Sequence, residues 1–268
     1  MTLKKRIFAP FVIQCMETLT TYFLEEFILA IKTGVIQEKT LFSEELGEEM
    51  ELLVYLPASY SPLYKYHVII AQDGHDYFHL GRISRQIEEL IKNGEIERCI
   101  VIGVPYKNVQ ERRRTYHPEG TKFEAYKRFL AHELVPFTDR EYPTYQVGSG
   151  RTLIGDSLGA TVSLMTALEY PNMFGNVIMQ SPYVDSHVLE KVADADSLQL
   201  ISIYHQIGTK ETAVKTTDDQ ILDFTAPNEQ LKELLQKKNT NYHFETFDGD
   251  HKWTYWQPLI TPALKKML

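Results

Sequence analysis

Cysteine is nearly absent from the 268-residue sequence: Cys15 and Cys99 are the only two. That excludes a disulfide framework and a cysteine-rich zinc site, and a reducing, cytoplasmic setting is expected. Positive charge is also short. Lysine and arginine number 28 against 36 aspartates and glutamates, a formal net charge of −8. The densest basic run is Arg112, Arg113, Arg114, so no electropositive footprint for nucleic acid is expected. Long apolar runs are missing as well. The N-terminal "MTLKKRIFAPFVIQCMETLTTYFLEEFILAI" opens with Lys4, Lys5 and Arg6 as a secretory leader would, yet Glu17, Glu25 and Glu26 break its apolar stretch and no small-residue cleavage site follows. Neither secretion nor a membrane span is expected, since a span needs about 20 mostly apolar residues. Repeats, low-complexity tracts and linkers are lacking too. One domain is therefore expected over residues 34–268, preceded by a helical extension over 1–33.

The apolar share, 43%, is enough for a sizeable core. Residues 34–57 read as strands around "SEELGEE", the stronger being "MELLVYLP", which Pro57 closes. "HVIIAQDG" (67–74), "RCIVIGVP" (98–105), "RTLIG" (151–155), "NVIMQSP" (176–182) and "LQLISIYHQIG" (198–208) are short buried strands. Between them lie helical patterns: 83–94 ending at Gly94, 123–142 until Pro136, "LGATVSLMTALEYP", and 226–238 capped by "PNEQ". Buried strands alternating with helices predict an α/β fold with a mostly parallel sheet covered on both faces.

"LIGDSLGATVSL" (153–164) contains Gly-x-Ser-x-Gly around Ser157. A chain of this length holds such a pattern by chance about one time in ten, so the context decides. A buried strand precedes it and a helix follows, as a nucleophile elbow requires. The glycines let a strained backbone pass close to its neighbours. Leu158 would offer its backbone N–H to an oxyanion at the helix start. The plain alternative is a serine that caps the helix.

A serine hydroxyl needs a base, and in that fold the order is Ser, acid, His. Of the downstream histidines His187, His205, His243 and His251, the last stands out. It lies in "FETFDGDHKWTYWQPL", on a loop at a strand end, where an imidazole can reach the serine. His187 reads as a surface residue, and His205 and His243 as residues within strands. For the acid, Glu211 follows the strand end directly, while Asp218, Asp219 and Asp223 lie farther along the same loop.

Five segments together resemble the esterase family that includes enterochelin esterases, S-formylglutathione hydrolases and mycolyltransferases: "LVYLPASY", "AQDGHDYFHLGR", "IVIGVP", "LIGDSLGA" with "YPNMFGNVIMQSP", and "GDHKWTYWQPLI". The last matches a Gly-x-His-x-Trp-x-x-Trp signature at Gly249, His251, Trp253 and Trp256. The resemblance implies an α/β-hydrolase fold with Ser157 as nucleophile, His251 as base and, from "IGTKE", Glu211 as acid. It also implies a second oxyanion donor, the backbone N–H of His75, partnering that of Leu158. The expected reaction is ester hydrolysis through an acyl-enzyme on a small-molecule ester, of siderophore type or with a short acyl group.

Substrate contacts are expected from Asp73 and Gly74 in the Asp-Gly turn, and from Arg114 and Tyr116 in "RRRTYHPEG", which otherwise reads as a solvated loop. Asp73, His75, Asp76 and His79 also invite a metal reading, but no His-Glu-x-x-His arrangement accompanies them. No metal or cofactor is expected. Acyl transfer to an alcohol, on the same residues, and a non-catalytic binding protein on the same fold are the alternatives. Trp253 and Trp256 read as packing under the histidine loop.

Overall fold

The computed structural model describes residues 34–238 and 241–268. The extension expected over 1–33, with Cys15, lies outside the described residues. From Gly34 onward the chain runs through strands β1 (Val35–Ser43), β2 (Glu48–Leu56) and β3 (His67–Gln72), helices α1 (Gly74–His79) and α2 (Ile83–Lys92), and strand β4 (Cys99–Val104). Helices α3 (Val109–Tyr116), α4 (Phe123–Arg128) and α5 (Val135–Glu141) follow, then β5 (Arg151–Asp156), α6 (Leu158–Glu169), β6 (Asn176–Gln180) and α7 (Ser186–Asp194). The last part comprises β7 (Ser202–Gly208), the short strands β8 (Val214–Lys215) and β9 (Ile221–Leu222), α8 (Thr225–Lys237), β10 (Asn241–Phe247) and α9 (Trp253–Met267).

The main sheet has the order β1-β2-β4-β3-β5-β6-β7-β10. Only β2 runs against its neighbours; from β4 to β10 every pairing is parallel. Successive side chains of these strands go to opposite faces. Val68, Ile70, Ile100, Ile102, Leu153 and Val177 pack against the helices α4 to α7, while Ile69, Ala71, Val101, Ile154 and Ile178 pack against α1, α2 and α9. That double covering explains why the strands read as continuous apolar runs. Cys99 sits under the second face with its thiol free and buried, and burial pushes its ionisation well above the ordinary thiol range. No helix among the described residues is long and apolar enough to cross a membrane.

Three local expectations are revised. Pro136 does not end its helix: residues Phe129–Leu134 widen into a π-type turn, which resets the register so that Pro136 falls in the first turn of α5, where no N–H is needed. The expected loop at Arg112 is helix α3, whose first turn is capped by the Asn108 side chain accepting the Glu111 N–H at 2.9 Å. Helix α8 starts at Thr225 rather than 226, and Asp223 takes the cap, accepting from the Thr225 N–H at 2.7 Å. The parallel strands bring their carboxyl ends, and hence the loops after Gln72, Asp156, Gln180, Gly208 and Phe247, to one edge of the sheet. In open α/β sheets that edge is where function collects.

Candidate active site

Strand β5 hands over to helix α6 at Ser157, whose backbone takes φ 52° and ψ −123°. A serine holds such a conformation only where its surroundings impose it. The two flanking glycines show what imposes it. A Cβ on Gly155 would meet the Gly159 carbonyl group at 2.2–2.3 Å, and one on Gly159 would meet Asp73 Oδ2 at 2.8 Å. Ser157 makes no side-chain cap to α6, so the plain capping reading fails on geometry.

Across the edge, His251 lies in the loop between β10 and α9. Its ring is held between Phe224, at 4.5 Å between centroids, and the edge of Trp256, at 4.7 Å. Nδ1 stands 2.7 Å from Glu211 Oε2. Because a carboxylate only accepts, this contact fixes the proton on Nδ1 and leaves Nε2 with its lone pair. Glu211, just past the end of β7, is completely buried. Its other oxygen accepts from the Gly208 N–H at 2.9 Å and from the Ser181 hydroxyl at 2.6 Å. Among the acids left open by sequence, Asp218 instead pairs with Arg113 at 3.1 Å and Asp219 with Lys215 at 2.9 Å, both on the β8–β9 hairpin. Asp223 caps α8. Glu211 alone of these reaches the imidazole.

Ser157, Leu158 and His251 line one cleft of about 90 Å³, with Tyr183, Leu222 and Phe224 among its walls. The amides of Leu158 and His75 belong to the first turns of α6 and α1, where no carbonyl of the same helix can reach them. The other histidines are committed elsewhere. His205 is buried, with its two ring nitrogens 2.8 Å from Asn228 Oδ1 and 2.9 Å from the Tyr242 hydroxyl, and burial pushes its pKa down to about 4. His187 is exposed, and His243 lies against Tyr204. His75 and His79 stack on one another, and no group of three or more metal-ligating side chains occurs among the described residues.

The expected substrate contacts are placed differently. On helix α3, positions two apart face opposite ways. Arg114 therefore points outward, bonded to Glu111 at 2.7 Å, while Arg112 points in. Tyr116 is buried, its hydroxyl accepting the Asp73 N–H at 3.3 Å. Asp73 is itself buried and forms a two-pronged pair with Arg112 (2.7 and 2.6 Å), whose guanidinium also donates to the Asp156 carbonyl at 3.3 Å. Gly74 packs on β4, where a Cβ would lie 2.7 Å from the Gly103 and Val104 backbone. Asp73, Gly74 and Tyr116 thus build the loop under the His75 amide, and Arg114 does not reach the cleft. Arg112 ties that loop to the end of β5.

Arg112 and Ser181 went unrecognised in the sequence. For Arg112 a signal existed: Asn108 followed three residues later by Glu111 marks a helix start, and a helix separates inward Arg112 from outward Arg114. Ser181 carries no such mark. The pair Trp253 and Trp256 resolves into packing of two kinds: Trp253 meets the edge of Tyr77 at 4.9 Å, while Trp256 is buried and donates from Nε1 to Ser181 Oγ at 3.0 Å.

Burial, reinforced by Asp73, holds the Asp156 carboxyl well above the ordinary range, against the pull of Arg112. Its Oδ1 is buried without a hydrogen-bond partner. From about pH 3.9, where the unfolded side chain ionises, up to its raised folded value, the native chain binds the extra proton, so stability falls as pH rises through that window. Asp156→Asn, which cannot ionise, is expected to raise Tm by a few degrees at neutral pH and to lose that advantage near pH 3. Thermal melts across pH test this; equal Tm values at pH 7 would count against it.

Comparison with known proteins agrees with this architecture. Residues 43–267 match the family model "Esterase", described as "Putative esterase". A protein of Bacillus subtilis (strain 168), YjcH, is 76% identical over 240 residues, covering 90% of this chain and 100% of that protein. Among solved structures, a ferulic acid esterase superposes with a TM-score of 0.75 at 18% identity, covering 88% of this chain and 98% of that one. The enterochelin esterase of Shigella flexneri gives 0.74 at 15% identity, covering 87% of this chain and 57% of that one. At these identities the structural neighbours establish the fold, that of the α/β-hydrolases.

Proposed function

Since the chain belongs to the esterase family and is a carboxylic ester hydrolase, we propose that it works as a serine esterase with Ser157, His251 and Glu211 as its triad. The observation that carries this reading is the 2.7 Å contact between His251 Nδ1 and buried Glu211, on the cleft that strained Ser157 also lines. His251 Nε2 takes the Ser157 proton as Oγ attacks the ester carbonyl, and Glu211 holds the imidazole in the needed tautomer and balances its charge. The amides of Leu158 and His75 stabilise the tetrahedral oxyanion. His251 then protonates the leaving alcohol. Water, activated by the same imidazole, releases the acid and restores Ser157.

Tyr183, Val214, Leu222 and Phe224 give the cleft an apolar and aromatic side, Arg112, Arg113, Lys215 and Asp218 line it with charge, and its size suits a short acyl group or a single ring. The ferulic acid and enterochelin esterases among the structural neighbours support an acid part of that kind. Fluorophosphonate labelling, with hydrolysis of nitrophenyl esters of increasing acyl length, tests the reading. Wild type should label at Ser157, and turnover should fall once the acyl chain outgrows the cleft. A wild-type protein that neither labels nor hydrolyses any ester of the series would refute it.

A further inference from the structure

Ser181, in the turn after β6, has φ 48°. This left-handed conformation is one that a serine adopts only under constraint, and glycine would take it freely. The side chain is fully buried and sits between two groups of the site. Its hydroxyl accepts from Trp256 Nε1 at 3.0 Å and donates to Glu211 Oε1 at 2.6 Å. Trp256 also presses its ring against His251 at 4.7 Å, so one side chain touches the imidazole directly and its acid partner through Ser181.

The need for such a donor follows from charge. Glu211 has no exposed surface, and among the described residues its one ion-pair partner is His251, which is neutral in the resting state of the proposed mechanism. A buried carboxylate without a standing cation must be held by hydrogen bonds. Oε1 receives two, from the Gly208 N–H and from Ser181. The first comes with the backbone, whereas the second requires this side chain at this strained position.

We propose that Ser181, polarised by Trp256, is a positioning residue that keeps Glu211 anionic and aims its Oε2 at His251 Nδ1. This rests on the serine-esterase reading of the same site. Without the hydroxyl the carboxylate is less well solvated, so the Glu211–His251 pair holds a proton more tightly, whichever of the two carries it. The acid limb of the kcat/KM profile then moves to higher pH by about one unit, the size expected for a lost hydrogen bond to a charged group. Below that limb the variant loses about tenfold in kcat/KM. KM changes little, because Ser181 is buried away from the cleft walls. The other charges near the pair are Arg112, Arg113, Lys215 and Asp218 along the cleft, and Lys210, Asp248, Asp250 and Lys252 on the two loops. They are the same in every variant.

The test compares wild type, Ser181→Ala, Ser181→Gly and Trp256→Phe by pH profiles of ester hydrolysis and by ring-nitrogen NMR titration of His251 in the resting protein. Ser157→Ala serves as the blank. Both Ser181 variants should shift the acid limb and the His251 titration upward together, with glycine melting at or above alanine because it relieves the positive φ. Trp256→Phe keeps the ring but drops the donor, and should shift both in the same direction by less. An unmoved titration in both Ser181 variants, or a loss of rate uniform across pH, overturns the proposal. Absence of Ser157-dependent turnover in wild type overturns the esterase reading instead, while the NMR titration still decides whether Ser181 tunes the pair.

Discussion

Replacing Ser157 by alanine is expected to lower kcat for any accepted ester by about 10⁶-fold, His251→Ala by a similar factor and Glu211→Gln by about 10⁴-fold. The ordering follows from the geometry. Ser157 and His251 act as one unit, since the hydroxyl is inert without a base and the base idle without a nucleophile. The Ser157→Ala/His251→Ala double variant should therefore be no slower than either single one. Glu211→Gln keeps the size of the side chain but offers Nε2–H or a neutral oxygen to His251, which loses the preferred tautomer and the countercharge. Because Glu211 Oε1 also receives the Gly208 N–H and the Ser181 hydroxyl, the amide can satisfy those donors with its oxygen only by turning its N–H₂ toward the imidazole. Single-turnover and steady-state rates measure these losses. An alanine variant at position 157 within tenfold of wild type would remove the serine from the mechanism.

Much of this site is legible in the sequence because it lies where chain order and local pattern coincide. The strand before Ser157 and the helix after it are both written in apolar periodicity, and Gly155 is forced by contacts within five residues, whereas Gly159 is forced by Gln72 and Asp73 from the neighbouring strand end. His251 follows from its place on a loop at a strand end. Glu211 was one of several acids on a single loop, and what separates it from Asp218 and Asp219 is a long-range fact: the chain folds so that Gly208 and Phe247, the ends of β7 and β10, stand side by side. The hairpin carrying Asp218 and Asp219 is tied instead to Arg113 of α3 through Asp218, while Asp219 pairs with Lys215 within the hairpin itself. The residues that were missed, Arg112 and Ser181, act through partners 39 and 30 positions away, and no periodicity or spacing encodes such pairings. The misplaced Arg114 has a local cause. Read as a loop, three successive arginines are equivalent; on a helix only one of them faces in.

Arg112→Met is expected to be the most destabilising of the substitutions considered, by about 3–5 kcal/mol, the usual cost of removing one partner from a buried ion pair. The guanidinium side chain is only 11% exposed, and Asp73 opposite it 1%. Removing it leaves Asp73 and Asp156, both buried, with no cation between them. The loss should shrink as the pH falls, because Asp156, already held above the ordinary carboxylic range by burial and by Asp73, then takes up a proton that cancels the repulsion. Asp73→Asn combined with Arg112→Met should be more stable than Arg112→Met alone, since it removes the uncompensated charge. Catalysis should not recover with it. Arg112 holds the His75 loop against the end of β5 through Asp73 and the Asp156 carbonyl, and without that tie the two oxyanion amides lose their common aim, a loss of about 10²–10³ in kcat. Affinity for a boronic acid, which forms the tetrahedral adduct on Ser157, should fall by the same factor while KM for the ester stays near that of wild type. If the double variant regained both stability and rate, Arg112 would be a structural residue alone.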